Sequence, residues 1–118
     1  RNVLRNFNGL RDRDAAKRPL MGAALSQGAD VSIFTSDNPR SENPAAILHE
    51  MVSSLEVKEP SAIIEDRAAA ISRAVALASA GDTVLVLGKG HEQGQDIAGV
   101  ITPFDDRLVL ATAIEARQ

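Results

Sequence analysis

No cysteine occurs among the 118 residues, which removes disulfide bonds, thiolate catalysis and zinc–thiolate sites together. Histidine is nearly as scarce, with only His49 and His91 present. Two imidazoles without thiolates, one of them on a helical stretch with no matching ligands, argue against a metal site. No apolar run reaches the roughly 18 residues that a membrane-spanning helix needs. The opening Arg1-Asn2-Val3 also lacks the apolar core of a signal peptide, so the expectation is a cytoplasmic protein with no membrane partner. An excess of positive charge is missing too: 13 Lys and Arg against 16 Asp and Glu leave a net charge of -3. A nucleic-acid partner would want a basic face, so none is expected. The chain lacks an initiator Met, and residues 1–13 carry four arginines and three asparagines, which reads as part of something larger.

What is present is an ordinary globular composition, 44% hydrophobic and 25% charged, with enough chain for one core. The pattern alternates strand and helix. Pro19 suits the first turn of a helix whose apolar face would hold Leu20, Met21, Ala24 and Leu25, with Gly28 as a left-handed stop. Val31 to Thr35 is short and apolar, as in a buried strand. Asn43-Pro44 pairs an N-cap with a first-position proline, and Ile47, Leu48, Met51, Val52 and Leu55 follow at helical spacing. Ser61 to Ile64 offers a short strand. A helix from Asp66 should turn Ile71, Ala74, Val75 and Ala78 inward and stop at Gly81. Thr83 to Leu87 shows no polar alternation, as expected of a strand covered on both faces. Gly88 to Gly99 reads as a polar loop, Val100 to Thr102 as an edge strand before Pro103, and Asp105 as the cap of a last helix over 106–116.

This order predicts an α/β fold: a Rossmann-like, mostly parallel sheet with helices on both faces. Ligands of such sheets bind beyond the carboxyl ends of the strands. Two polar loops leave those ends, Ser36 to Arg40 and Gly88 to Gln95. In the first, Arg40 follows an Asn-Pro turn, and its planar fork can hold a carboxylate bidentately; the blander reading is a simple turn. In the second, His91 and Glu92 offer a base, an acid or a pair that grips a ligand. Gly88-Lys89-Gly90-His91-Glu92-Gln93-Gly94 fits neither a Walker loop, since Lys89 is followed by Gly90, nor a dinucleotide fingerprint, whose third glycine would fall at Gln93. Asp12-Arg13-Asp14 with Lys17-Arg18 reads as a solvated helix start, and His49 as a solvated or half-buried helix residue.

Four segments in order, Asp12-Arg13-Asp14-Ala15-Ala16-Lys17-Arg18-Pro19-Leu20-Met21-Gly22, Asp37-Asn38-Pro39-Arg40, Gly88-Lys89-Gly90-His91-Glu92 and Pro103-Phe104-Asp105-Asp106-Arg107, resemble the C-terminal domain of the Mur ligases, and within them the branch that adds diaminopimelate. The resemblance covers nearly everything from Asp12 onward. It implies an amino-acid-binding domain over 12–118, preceded by an atypical polar segment over 1–11. The family has an apolar strand ending in a glycine pair before Asp-Arg-Asp, whereas this chain has Leu4-Arg5-Asn6-Phe7-Asn8-Gly9-Leu10-Arg11. The sheet is therefore expected to lack its first strand and helix.

The resemblance further implies an ATP-dependent ligase of peptidoglycan synthesis, in which phosphate from ATP activates a carboxylate of UDP-MurNAc-L-Ala-D-Glu and the amine of meso-diaminopimelate displaces it. Arg13, Asn38, Arg40, Gly88 and Glu92 would bind diaminopimelate, supported by Asp37, Lys89 and His91. No catalytic residue or metal ligand is carried over. ATP and Mg2+ would be held mainly by N-terminal and central domains that act as partners of this one, so the piece alone should be silent. Lysine-adding members of the family lack the arginine at position 40. Two other readings compete: a stand-alone Rossmann-type module holding a nucleotide or anionic metabolite, and a folylpolyglutamate-type ligase domain. A Gly-Lys-Thr/Ser loop upstream would favour a ligase, and the Asp-Asn-Pro-Arg turn argues against the folate type.

Overall fold

A computed structural model describes residues 2–7, 18–37, 41–87 and 93–117, the first of these as backbone only. Its elements run β1 (Asn2–Phe7), α1 (Arg18–Gly28), β2 (Val31–Phe34), α2 (Pro44–Met51), β3 (Ala62–Ile63), α3 (Arg67–Leu77), β4 (Thr83–Val86), β5 (Gly94–Ile97), β6 (Val100–Pro103) and α4 (Asp106–Arg117). Four strands make a sheet in the order β3-β2-β1-β4, and all three pairings are parallel. The expected α/β architecture is therefore present.

The core follows from the two-residue period of β2. Val31 and Ile33 pack with Ala70, Ala74 and Ala78 of the α3 segment. Phe34, facing the other way, packs with Leu25 of α1 and with Leu48 and Met51 of α2. Helices thus cover both faces, and each fully buried apolar side chain contributes about 1.5–3 kcal/mol. The small alanines of α3 let it lie close on the sheet. Asn43 caps α2, its Oδ1 accepting from the Ala45 and Ala46 N–H groups, and Asp66 caps α3 through the Ala69 N–H.

Several expectations change. Asn2–Phe7, left without a place by its polar sequence, is the strand between β2 and β4. β4 is not a strand covered on both faces: it pairs with β1 alone among the described strands, and Leu85 is 37% exposed. The segment read as loop through Gly99 contains β5, which forms a separate antiparallel hairpin with β6. Polar Gly94-Gln95-Asp96 gives no strand periodicity, so pairing rather than propensity makes this strand. The buried face of α1 is Arg18, Gly22 and Leu25, while Leu20 is 71% exposed and Ala24 is exposed. The reason is a close helix crossing: a Cβ at Gly22 would lie 1.8 Å from the Met51 carbonyl oxygen. Positive φ among the described glycines falls at Gly81 and Gly99, not at Gly28. Among the described residues, no helix is long and apolar enough to cross a membrane.

Candidate functional site

Parallel strands place all their carboxyl ends on one edge of the sheet, and helices start there. Beyond the end of β2 the chain continues through Thr35, Ser36 and Asp37, all buried. The Ile64 N–H donates to the Phe34 carbonyl (2.9 Å), and Thr35 Oγ1 donates to the Glu65 carbonyl (3.2 Å). These bonds draw the start of α3 against the end of β2.

Arg67, the first residue of α3, is 1% exposed. Its Nε donates to Asp106 Oδ1 (2.8 Å) and its Nη2 to Asp106 Oδ2 (2.7 Å), a fork-on-fork pair with the first residue of α4. Its Nη1 also donates to the Ser36 carbonyl (3.1 Å), and its Nη2 to the Leu87 carbonyl (3.2 Å). One guanidinium therefore ties together the ends of β2 and β4 and the starts of α3 and α4. Only arginine has the planar set of donors for this.

A second arginine lies near the other end of the same loop. Arg18, expected on a solvated helix start, is instead fully buried. Its Nη2 donates to Glu42 Oε1 (2.6 Å), and its Nη1 donates to Glu42 Oε2 (2.8 Å) and Glu50 Oε2 (2.8 Å). Its hydrogen bonds to Glu42, and then the one to Glu50, hold its pKa above the ordinary arginine value although burial opposes them. At α4, the Arg107 side chain is the main cause that holds the Asp105 carboxyl below its usual value, with the Arg107 backbone N–H adding to it.

Of the residues expected to bind a ligand, Arg13, Asn38, Arg40, Gly88 and Glu92, with the supporting Lys89 and His91, lie outside the described residues. Asp37 is described, buried and partnered. What the fold does place is the chain on either side of each motif. Ser36 and Glu42 flank the Asp-Asn-Pro-Arg segment, and Leu87 and Gln93 flank the Gly-Lys-Gly-His-Glu segment. Arg18 follows the Asp-Arg-Asp segment. The Phe104 N–H donates to the Gln93 carbonyl (2.9 Å), fixing the exit of the second loop. A cleft of about 260 Å³ at this end is lined in part by Ser36, Glu65, Arg67, Gln95 and Ile97. Ser36 Oγ is buried without a hydrogen-bond partner among the described residues.

The sequence reading missed Arg67, Asp106, Arg18 and Glu42. A signal existed: Arg67 is in phase with the inward stripe Ile71, Ala74 and Ala78, and Arg18 with Gly22 and Leu25. A charge in phase with a buried stripe needs a buried partner. Among the described residues no cluster of three or more His, Cys, Asp or Glu could hold a metal, and the sequence has no Walker loop.

Parallel α/β architecture, with the chain fixed at Ser36 and Leu87 on the carboxyl edge, places the domain in the doubly wound class, whose ligands bind beyond that edge. The chain belongs to the Mur ligase family: residues 5–90 match the Mur ligase, glutamate ligase domain. It is 59% identical over 112 residues to the UDP-N-acetylmuramoyl-L-alanyl-D-glutamate--2,6-diaminopimelate ligase of Streptomyces coelicolor, covering 91% of this chain and 22% of that protein. The ligase of the same name from Chromobacterium violaceum is 51% identical over 105 residues, covering 89% of this chain and 21% of its own length. A solved structure of a ligase of that name superposes with a TM-score of 0.89 at 42% identity, over 99% of this chain and 24% of the other. The chain thus spans about a fifth of the length of the curated relatives it matches.

Proposed function

We propose that this chain is the amino-acid-binding domain of a ligase that adds meso-diaminopimelate to UDP-MurNAc-L-Ala-D-Glu in peptidoglycan synthesis. The observation that carries the reading is the convergence of Ser36, Leu87, Glu42 and Arg18 on one edge of the sheet, each next to a segment with the family's motif residues. ATP, held by other domains of the ligase, would transfer a phosphoryl group to the substrate carboxylate and leave as ADP, and the amine would then displace that phosphate. This domain would present the amine.

Arg40 and Arg13 would hold the carboxylate at the distal end of diaminopimelate, together with Asn38. Glu92, next to Gly88, would pair with the ammonium there, with Asp37, Lys89 and His91 in support. Diaminopimelate differs from lysine by that one carboxylate. A guanidinium left unpaired by lysine would reject it by roughly 10²-fold or more. Arg40→Ala in the full-length protein should therefore erase most of the preference for diaminopimelate over lysine in amide formation. An unchanged ratio of kcat/KM for the two amino acids would overturn the assignment.

A further inference from the structure

We propose that Arg67 and Asp106 form a positioning clamp that sets the spacing between the two ligand loops, and hence the fit of the amino acid, without touching it. This rests on the proposed function for its ligand, but not for its geometry. Ser36, whose carbonyl accepts from Arg67 Nη1, is two residues before Asn38. Leu87, whose carbonyl accepts from Arg67 Nη2, is one residue before Gly88. The two loops enter from different strands, and β1 lies between those strands. They therefore have no direct ladder bond to fix their separation. A single rigid fork spans them, and Asp106 fixes the fork through both oxygens.

The clamp is buried, with side-chain exposures of 0% for Arg67 and 8% for Asp106, so water is a poor substitute for a lost donor. Asp106 also opens α4, just behind Phe104, whose N–H holds the exit of the second loop at Gln93. The pair thus fixes entry to both loops and sits beside the exit of one. Loops whose separation drifts lose contacts to the amino acid in its ground and transition states alike, and such a loss raises KM and leaves kcat nearly unchanged.

The test compares Arg67→Lys, Asp106→Asn and their combination in the full-length protein, by amide hydrogen exchange and by steady-state kinetics. Lysine keeps the charge but cannot reach Asp106 and both carbonyls together. The expected result is faster exchange in residues 36–41 and 87–93 together, with the carboxyl-terminal half of α3 unchanged. The KM for diaminopimelate should rise about tenfold while kcat per folded active site changes little. The double variant should be no worse than the worse single one. A purely structural role would lower the active fraction and the melting temperature and leave KM alone. That outcome, or faster exchange in one loop only, overturns the clamp. If both loops loosen but the unaltered protein joins no diaminopimelate, the clamp stands and the proposed function falls.

Discussion

Two arginines with nearly no exposed surface carry different energetic weight, because their partners differ. Asp106 has 8% of its side chain exposed, whereas Glu42 and Glu50 keep 27% and 44%. Removing Arg67 strands a carboxylate with little access to water, and breaking such a buried pair costs about 3–5 kcal/mol. The Ser36 and Leu87 carbonyls also lose the guanidinium that donates to both. Removing Arg18 leaves glutamates that can turn outward and rehydrate, so the loss is nearer about 1–2 kcal/mol. Denaturant unfolding of Arg67→Met and Arg18→Met should rank them in that order. An equal or larger loss for Arg18→Met would show that the glutamates are less free to resolvate than their exposure suggests.

The hairpin and the last helix test the argument one level up. Ile97 pairs with Val100 around the two-residue turn Ala98-Gly99, where φ is 53° and 83°. Positive φ at both central residues marks a type I′ turn, which suits the right-handed twist of the strands and favours Asn-Gly. Alanine here bears a left-handed strain of about 1 kcal/mol. Ala98→Asn should therefore raise thermal stability by roughly 0.5 kcal/mol, read as a higher melting temperature, and a lower one would contradict the turn.

At α4, the Asp105 carboxyl is lowered from its ordinary 3.8 mainly by the Arg107 side chain. Its contribution is therefore fully present above the unfolded value and lost as pH falls through the lower folded value. The Arg107 amide resonance should titrate with a midpoint below 3.8, and a midpoint at or above it would mean that the cap is not formed.

Such local chemistry is what the sequence displays. Asn43-Pro44, Asp66 and Asp105 announced three helix starts because capping is a short-range bond. β5 stayed hidden because Gln95 and Asp96 become strand residues only through their partners Thr102 and Ile101. The face of α1 was misjudged because the Gly22–Met51 approach belongs to two helices distant in sequence. Strand order is equally non-local, and so an uninterrupted apolar run at Thr83 to Leu87 became a half-exposed edge. The parallel order, which puts the carboxyl ends of β1, β2 and β4 on one edge, was readable from the alternation of strand and helix. The buried arginines that hold that edge were not, since nothing short of the tertiary fold brings Asp106 to Arg67.

At the scale of the whole molecule, the proposed site exists only as an assembly. Its motif residues would come from three segments, 12–18, 37–40 and 88–92, and the residues that flank them, Arg18, Ser36, Glu42 and Leu87, are held by bonds that span 20 to 31 residues of sequence. The unfolded chain cannot keep such an arrangement, so an amino acid that fits should bind the native state alone. Mass action then converts binding into stability, about 2.7 kcal/mol at a ligand concentration one hundred times the dissociation constant. In a domain of this size that corresponds to a rise of several degrees in melting temperature. Titrating the chain with diaminopimelate should produce such a rise, while lysine, which lacks the second carboxylate, should produce a much smaller one at equal concentration. Calorimetry at fixed temperature should rank the two in the same order. Lysine binding as tight as diaminopimelate would show that Arg40 does not face the extra carboxylate, whatever the family of the fold.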